Sequence, residues 1–439
     1  MTDGKSTLIA QARSVARGQQ SPVDLLEETC ETITRIQARL NAFTHIFEDE
    51  AFVRAKELAS SAPAGPLRGV PIAIKELYDV AGAPTTGCCG AYMGRVATDD
   101  AAVVRRLREA GAIIVAKTNQ HELACGGTGL VSSFGPVRNP WGDGRMPGGS
   151  SSGSGAAVGG GAVSFAMGSD SLGSIRHPSS WCGTTGLKTT YAAVSMQGAM
   201  PFIRSTDSAG PIAVSAEDCG LVHRVIADRA PPPPRPLHDL RVGIPDSFFT
   251  LCHPDVRARV EDSIAVFRDL GVNVQRVAGP SIDLSWAAVV MLLAEFGEEY
   301  QDLVGDDRVD PETAFLFGLP RAPLEDRRGT VDAARADWSR VMDEADVLLA
   351  PATPYAAPRV DATSIEVEGG ELDARAGMAR YSAPVNIAGF PALAFPVGFT
   401  PEGMPVGAQL IGTAHSEETL VALGSAYQRE TDWHLRLPQ

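Results

Sequence analysis

Three observations predict an α/β fold built as one large body for this chain of 439 residues. Short apolar runs of strand length recur between stretches with apolar residues every three to four positions. Hydrophobic residues make up 44% and charged residues 21%, the mix of a chain that buries a core rather than staying disordered. No internal repeat divides the chain, although its length alone would suggest two or three domains.

Taken in order, residues 21–42 have helical spacing, with Ser21 placed to cap and Pro22 at the first helical position. Gly69–Ala81 begins as a short β-rich run and then turns polar. Asp100–Ala110 reads as a helix closed by Gly111, and Ala112–Ala116 as a buried strand. Gly142–Gly155 reads as loop, and the small apolar run Ala156–Ala166 as a buried helix. Pro231–Leu237 is a stiff surface spacer. Beyond it, a strand at Arg241–Ile244, a helix at Pro254–Leu270 and a strand at Asn273–Val277 form a βαβ pattern. Asp346–Ala350 is a further buried strand.

Composition excludes several function classes. No run reaches the roughly 20 apolar residues of a membrane span. Met1–Ala10 contains Asp3 and Lys5 and lacks the apolar segment of a secretion signal. A net charge of −15 without a Lys/Arg run argues against nucleic acid and anionic membrane as partners. Seven Cys and eight His show no metal-ligand or disulfide spacing, so no metal and no cofactor are expected, and the location expected is cytoplasmic.

Two asymmetries converge on one region. Only five of the 38 Lys plus Arg are Lys, namely Lys5, Lys56, Lys75, Lys117 and Lys188. Glycine clusters between Gly142 and Gly186, around the tract Pro147–Gly155. A Gly/Ser tract is often a linker, but apolar sequence follows this one at once, and a second small-residue turn lies at Asp170–Arg176. Gly153–Val158 lacks the third Gly of a dinucleotide fingerprint, and Gly183–Lys188 lacks the Gly before the Lys of a phosphate loop. Gly149–Gly153 matches G-x-S-x-G around Ser151, yet no Asp and His stand out as partners for a Ser-His-Asp hydrolase.

Lys75 is the more telling residue. It ends the run Val70–Lys75, where alternation puts Val70, Ile72 and Ile74 on one face and Lys75 with Ala73 and Pro71 on the other. A Lys at a strand end ordinarily reaches solvent. A guanidinium cannot lose its proton near neutral pH, whereas a desolvated ammonium can, so a Lys kept in an Arg-rich chain suits the role of base to a serine.

These segments resemble the amidase signature family along nearly the whole chain. Gly69–Val80 is similar to its lysine segment, Pro147–Ala157 to its P-G-G-S-S-G-G-S stretch, and Gly168–Lys188 (GSDSLGSIRHPSSWCGTTGLK) to its G-T-D-T-G-G-S-I-R-x-P core. Softer matches lie at Ala110–Glu122, Asp346–Pro354 and Asn386–Gly412. The resemblance implies a large mixed central β-sheet covered on both faces by helices, with residues 1–439 as one domain. The motif core would span 69–190, and a more variable, substrate-shaping region 230–345.

It also implies a Ser–cisSer–Lys triad: Ser174 as nucleophile, Ser150 as the bridging serine after a cis peptide, and Lys75 as neutral base. Backbone N–H groups of Ser171, Leu172, Gly173 and Ser174 would hold the oxyanion. Ala124, Cys125 and Gly126 would bind substrate, in a pocket formed by the segments Cys88–Tyr92, Ala124–Val131 and Trp286–Leu319. Ser151, Ser152 and Ser154 would brace the turn, Asp170 and Arg176 would pair, Lys188 would be structural, and His177 would face the pocket wall or the surface. Three departures from the family pattern stand out: Leu172 for Gly beside the oxyanion turn, Ser152 for Gly, and Thr189-Thr190 after the Lys. A short stretch from Ile226 to Leu240 implies an open site.

The activity implied is hydrolysis of amide or carbamate C–N bonds (a urethanase activity in the second case) through an acyl-serine, with esters as side substrates. One alternative is an amidotransferase A-type subunit releasing ammonia for a partner protein; another is an inactive scaffold. The expected ligand is a small amide or carbamate, and a homodimer is compatible with the sequence.

Overall fold

The computed structural model describes residues 4–60, 65–319 and 324–438. Its strands are β1 (Phe43–Ile46), β2 (Pro71–Lys75), β3 (Ile113–Thr118), β4 (Phe165–Asp170), β5 (Thr185–Lys188) and β6 (Ser208–Ala213). They continue with β7 (Arg241–Pro245), β8 (Asn273–Val277), β9 (Val347–Pro351), β10 (Ser364–Val367), β11 (Gly370–Asp373), β12 (Ala392–Phe399) and β13 (Pro405–Gly412). Eleven of them form one sheet in the order β1-β3-β2-β4-β6-β5-β12-β13-β9-β7-β8, while β10 and β11 pair separately as a hairpin. β2 runs parallel to β3 and β4, and β7 runs parallel to β8 and β9. The remaining neighbours are antiparallel.

The alternation expected at Val70–Lys75 divides two cores. Val70, Ile72 and Ile74 pack on one side with Val103, Val104 and Leu107 of the helix Ala102–Glu109. Ala73 packs on the other with Ala156 and Ala157. Lys75 follows Ala73 by two, so its side chain leaves the strand on the side of the Gly/Ser-rich helix.

The helix expected near 21–42 forms as Pro22–Leu40. Ser21 and Asp24 close a reciprocal capping box, and left-handed Asn41 ends the helix. The strand and helix boundaries at 100–116 and 241–277 fall within two residues of expectation. One region differs. The helix is Ser152–Gly159: it starts four residues earlier than expected, inside the tract read as loop, and ends well short of Ala166, where the run read as helix has already entered β4 at Phe165. Gly and Ser are weak helix formers, but this helix is buried along its whole length and its small residues permit close contact. A Cβ on Gly153 would lie 2.3 Å from the Ala42 carbonyl oxygen, and one on Gly155 2.7 Å from Pro178 Cβ. Tight packing outweighs propensity here.

Among the described residues, no helix is long and apolar enough to cross a membrane.

Candidate active site

Because β2 and β4 are parallel neighbours, their C-terminal ends meet at one edge of the sheet, the usual place for a site in such a fold. Lys75 is the last residue of β2; Ser169 and Asp170 close β4. Lys75 is fully buried, and its ammonium donates to Ser150 Oγ at 2.7 Å and to Ser169 Oγ at 2.8 Å. Burial pushes its pKa down to about 7, against the pull of Asp170, Asp207 and Cys88. The lysine is therefore available as a base near neutral pH. Ser150 itself follows a cis Gly149–Ser150 peptide and lies just before the helix Ser152–Gly159.

Ser174 sits on the loop between β4 and the helix Arg176–Cys182. It lines a cavity of about 260 Å³ together with Ala124, Cys125, Gly126, Leu172 and His177. Lys75 and Ser150 do not line it; both are fully buried. A wider cleft of about 510 Å³ among Tyr191, His223 and Glu417 has no serine, cysteine or lysine on its walls.

The turn at 171–175 is organised by one carboxylate. Asp170 accepts from the N–H of Gly173 at 2.8 Å and of Ile175 at 3.2 Å, from Asn386 Nδ2 at 2.9 Å, and from two guanidinium nitrogens of Arg176 at 3.0 Å. Burial alone would raise this carboxyl; Arg176 outweighs it and holds the group well below the ordinary carboxylate range. The pairing of Asp170 with Arg176 matches expectation. The N–H of Gly173, expected at the oxyanion, donates to Asp170 in this structure. What Gly173 contributes is space, since φ is +128° and a Cβ would lie 2.2 Å from His177 Nε2. Among the described residues, no protein acceptor takes the N–H of Ser171, Leu172 or Ser174.

The bracing serines divide. Ser151 Oγ bonds the backbone of Ser169, and Ser154 Oγ bonds the Met167 carbonyl at 2.8 Å. Ser152 Oγ is buried without a partner among the described residues. Lys188 joins the carbonyls of Thr189 and Phe390, a structural role. His177 is buried on the cavity wall, and burial pushes its pKa down to about 4 despite Asp170, with Arg176 also opposing its charge.

The segment Cys88–Tyr92 corrects another expectation, for none of its residues reaches the cavity. Cys88 is instead packed inside, bonded to Asn119 Oδ1, and Tyr92 leans towards Tyr300. In their place Phe202 and residues of the stretch Arg375–Ala379 supply wall. Of the 286–319 stretch, Trp286, Val289, Leu293, Glu312 and Leu316 line the cavity. Phe315 is exposed, and Phe317 stacks on Phe296 in the core.

Sequence reasoning missed three residues. Ser169 is the second partner of Lys75. Asp207 is buried, takes the Ser171 hydroxyl and the N–H groups of Phe202 and Ile203, and has its pKa raised to about 6 by burial. Ser382 lies before the helix Ala383–Ala388 and reaches Leu172. Of the three, only Ser169 lies inside one of the quoted motifs, Gly168–Lys188. Among the described residues, no group of three or more His, Cys, Asp or Glu is placed to hold a metal ion.

The amidase family profile matches residues 24–421. The A subunit of the glutamyl-tRNA(Gln) amidotransferase of Roseiflexus castenholzii is 34% identical over 491 aligned positions, covering 100% of this chain and 99% of that protein. A crystal structure of an amidase superposes with a TM-score of 0.91 at 30% identity, covering 97% of this chain and 100% of the other. The peptide amidase of Stenotrophomonas maltophilia superposes with a TM-score of 0.83 at 27% identity, covering 99% and 98%. With the sheet, the lysine-bearing strand end and the Gly/Ser-rich helix all in place, the chain belongs to the amidase signature family, whose enzymes hydrolyse amides.

Proposed function

We propose that the protein hydrolyses an amide C–N bond through an acyl-enzyme on Ser174, with Ser150 and Lys75 as its proton relay. The observation that carries this is the sealed Lys75 ammonium 2.7 Å from Ser150 Oγ, at the same sheet edge as a turn with unengaged N–H groups. Neutral Lys75 takes the proton of Ser150, Ser150 takes that of Ser174, and Ser174 Oγ attacks the carbonyl carbon. The developing oxyanion is met by the free N–H groups of Leu172 and Ser174, with Ser171 beside them; one such donor is typically worth about 3 kcal/mol. The proton returns through Ser150 to the leaving nitrogen, and water then releases the acyl group by the same relay.

Leu172, Phe202, Trp286, Val289, Leu293 and Leu316 make much of the cavity wall apolar. That favours an amide or carbamate carrying an aryl or alkyl substituent. The reading places the enzyme in the cytoplasm, where its seven unpaired thiols stay reduced.

Kinship along the full length with an amidotransferase component favours a second use of the same site, release of ammonia for a partner protein. A hydrolysis panel of aryl amides, alkyl amides, carbamates and glutamine on the purified chain separates the two. Turnover of apolar amides by the lone chain, at a kcat/KM at least about tenfold above glutamine, is the expected result. Activity only on glutamine and only with a partner supports the second use. Absence of any turnover, with Ser174 unlabelled by a serine-reactive phosphonate, overturns both.

A further inference from the structure

His177 stands at a junction that the relay does not use. Its Nε2 lies 2.6 Å from Ser382 Oγ, and its Nδ1 lies 3.3 Å from the carbonyl oxygen of Gly149. Ser382 Oγ in turn lies 2.7 Å from the carbonyl oxygen of Leu172. One chain of contacts thus joins the carbonyl just before Ser150 to the turn that carries Leu172 and Ser174.

Counting protons exposes a shortage. Both ends of the chain are carbonyl oxygens, which only accept. Three contacts need three protons, on Nδ1, on Nε2 and on Ser382 Oγ. A neutral imidazole and one hydroxyl supply two. With the proton on Nε2, Ser382 accepts from the ring and donates to Leu172, and the Gly149 carbonyl goes without. With the proton on Nδ1, Gly149 is served, the Ser382 hydroxyl turns to Nε2, and the Leu172 carbonyl loses its donor. Among the described residues, no other hydrogen bond reaches either carbonyl. The two short contacts, 2.6 and 2.7 Å, mark the bonds that are made.

We propose that His177 is a positioning residue, whose neutral Nε2–H form orders Ser382 and through it holds the oxyanion turn at the Leu172 carbonyl. This rests on the Ser174 reading above for its catalytic meaning, but the tautomer itself does not. A third proton would complete all three contacts only as an imidazolium. Burial opposes that form most and Arg176 adds to it, while Asp170 and the Gly149 carbonyl favour it. At neutral pH the oxyanion turn takes the donor, and the Gly149 carbonyl before Ser150 is left unserved.

The test has two parts. Long-range ¹H–¹⁵N spectra of the full chain labelled at histidine, with His177 assigned by its loss in His177→Gln, read the tautomer directly. The Nε2–H form between pH 6 and 8 is expected; the Nδ1–H form or an imidazolium there overturns the proposal. In kinetics, Ser382→Ala and His177→Leu each lower kcat on the order of tenfold while KM changes less than about twofold. The double variant is no worse than either single one, because both break one chain. His177→Gln, whose side-chain NH₂ can still donate to Ser382, restores kcat to within about threefold of wild type. Additive losses, or a His177→Gln as impaired as His177→Leu, refute the coupling. If no variant and not even the wild type turns over an amide, the functional reading fails, while the spectra still decide the tautomer.

Discussion

Ser174→Ala is expected to remove amide turnover almost entirely, a loss on the order of 10⁵–10⁶ in kcat, with binding of an uncleaved amide retained. Lys75→Ala falls nearly as far, about 10⁴-fold or more, since a serine hydroxyl without a base is a poor nucleophile. The pair acts as a unit, so the double variant loses little beyond Ser174→Ala. The pH profile carries the same content with a definite sign. Lys75 works when neutral, and its pKa is lowered to about 7. The rate kcat/KM therefore rises as pH climbs through about 7 and levels off above it. A profile flat from pH 5 to 9, or full activity in Lys75→Ala, removes Lys75 from the relay.

Arg176→Met is expected to be among the most destabilising single changes. The guanidinium is fully buried and serves Asp170, Gln409 Oε1 at 2.9 Å, the Ser382 carbonyl at 2.9 Å and Asn386. Removing it leaves Asp170 as a buried charge with only the Gly173, Ile175 and Asn386 donors, a loss typically of about 3–5 kcal/mol. Calorimetric melting of the folded variant should show a large drop in Tm. Activity should fall with it, because the same carboxylate shapes the turn that carries Ser174. A variant that melts like wild type contradicts this account.

The legible parts of the molecule are those where local chemistry and final structure agree. Ser21 and Pro22 announce a helix start, and the alternation from Val70 to Lys75 assigns the lysine its face before any fold is known. The family resemblance points to Ser174, Ser150 and Lys75, and the structure puts Lys75 within 2.7 Å of Ser150 at the sheet edge where the turn carrying Ser174 begins. The helix at Ser152–Gly159 shows the opposite case. Its residues disfavour a helix in isolation, and only contact with Ala42, Asn119 and Pro178 makes one fit. The pocket is legible in part. Ala124–Gly126 and the stretch from Trp286 to Leu316 contribute as expected, but Arg375–Ala379 arrives on a segment following the β10–β11 hairpin, which no local pattern connects to the site. Gly173 shows a subtler limit. A glycine in a turn suggests a free N–H, yet whether that N–H is free depends on where Asp170 points.

Burial of the lysines has one further consequence, in the reactivity of the folded surface. Lys5, Lys75, Lys117 and Lys188 are all enclosed, and only Lys56, on the helix Glu48–Ser60, stands in solvent. An amine-directed acylating reagent should therefore modify the lysines of the native protein at Lys56 alone, leaving turnover intact. Peptide mapping after brief acylation would find that single lysine adduct, and the other four lysines should react only once the chain unfolds. Scarce lysine thus becomes a built-in address for attaching a probe or a solid support at a point that does not line the cavity.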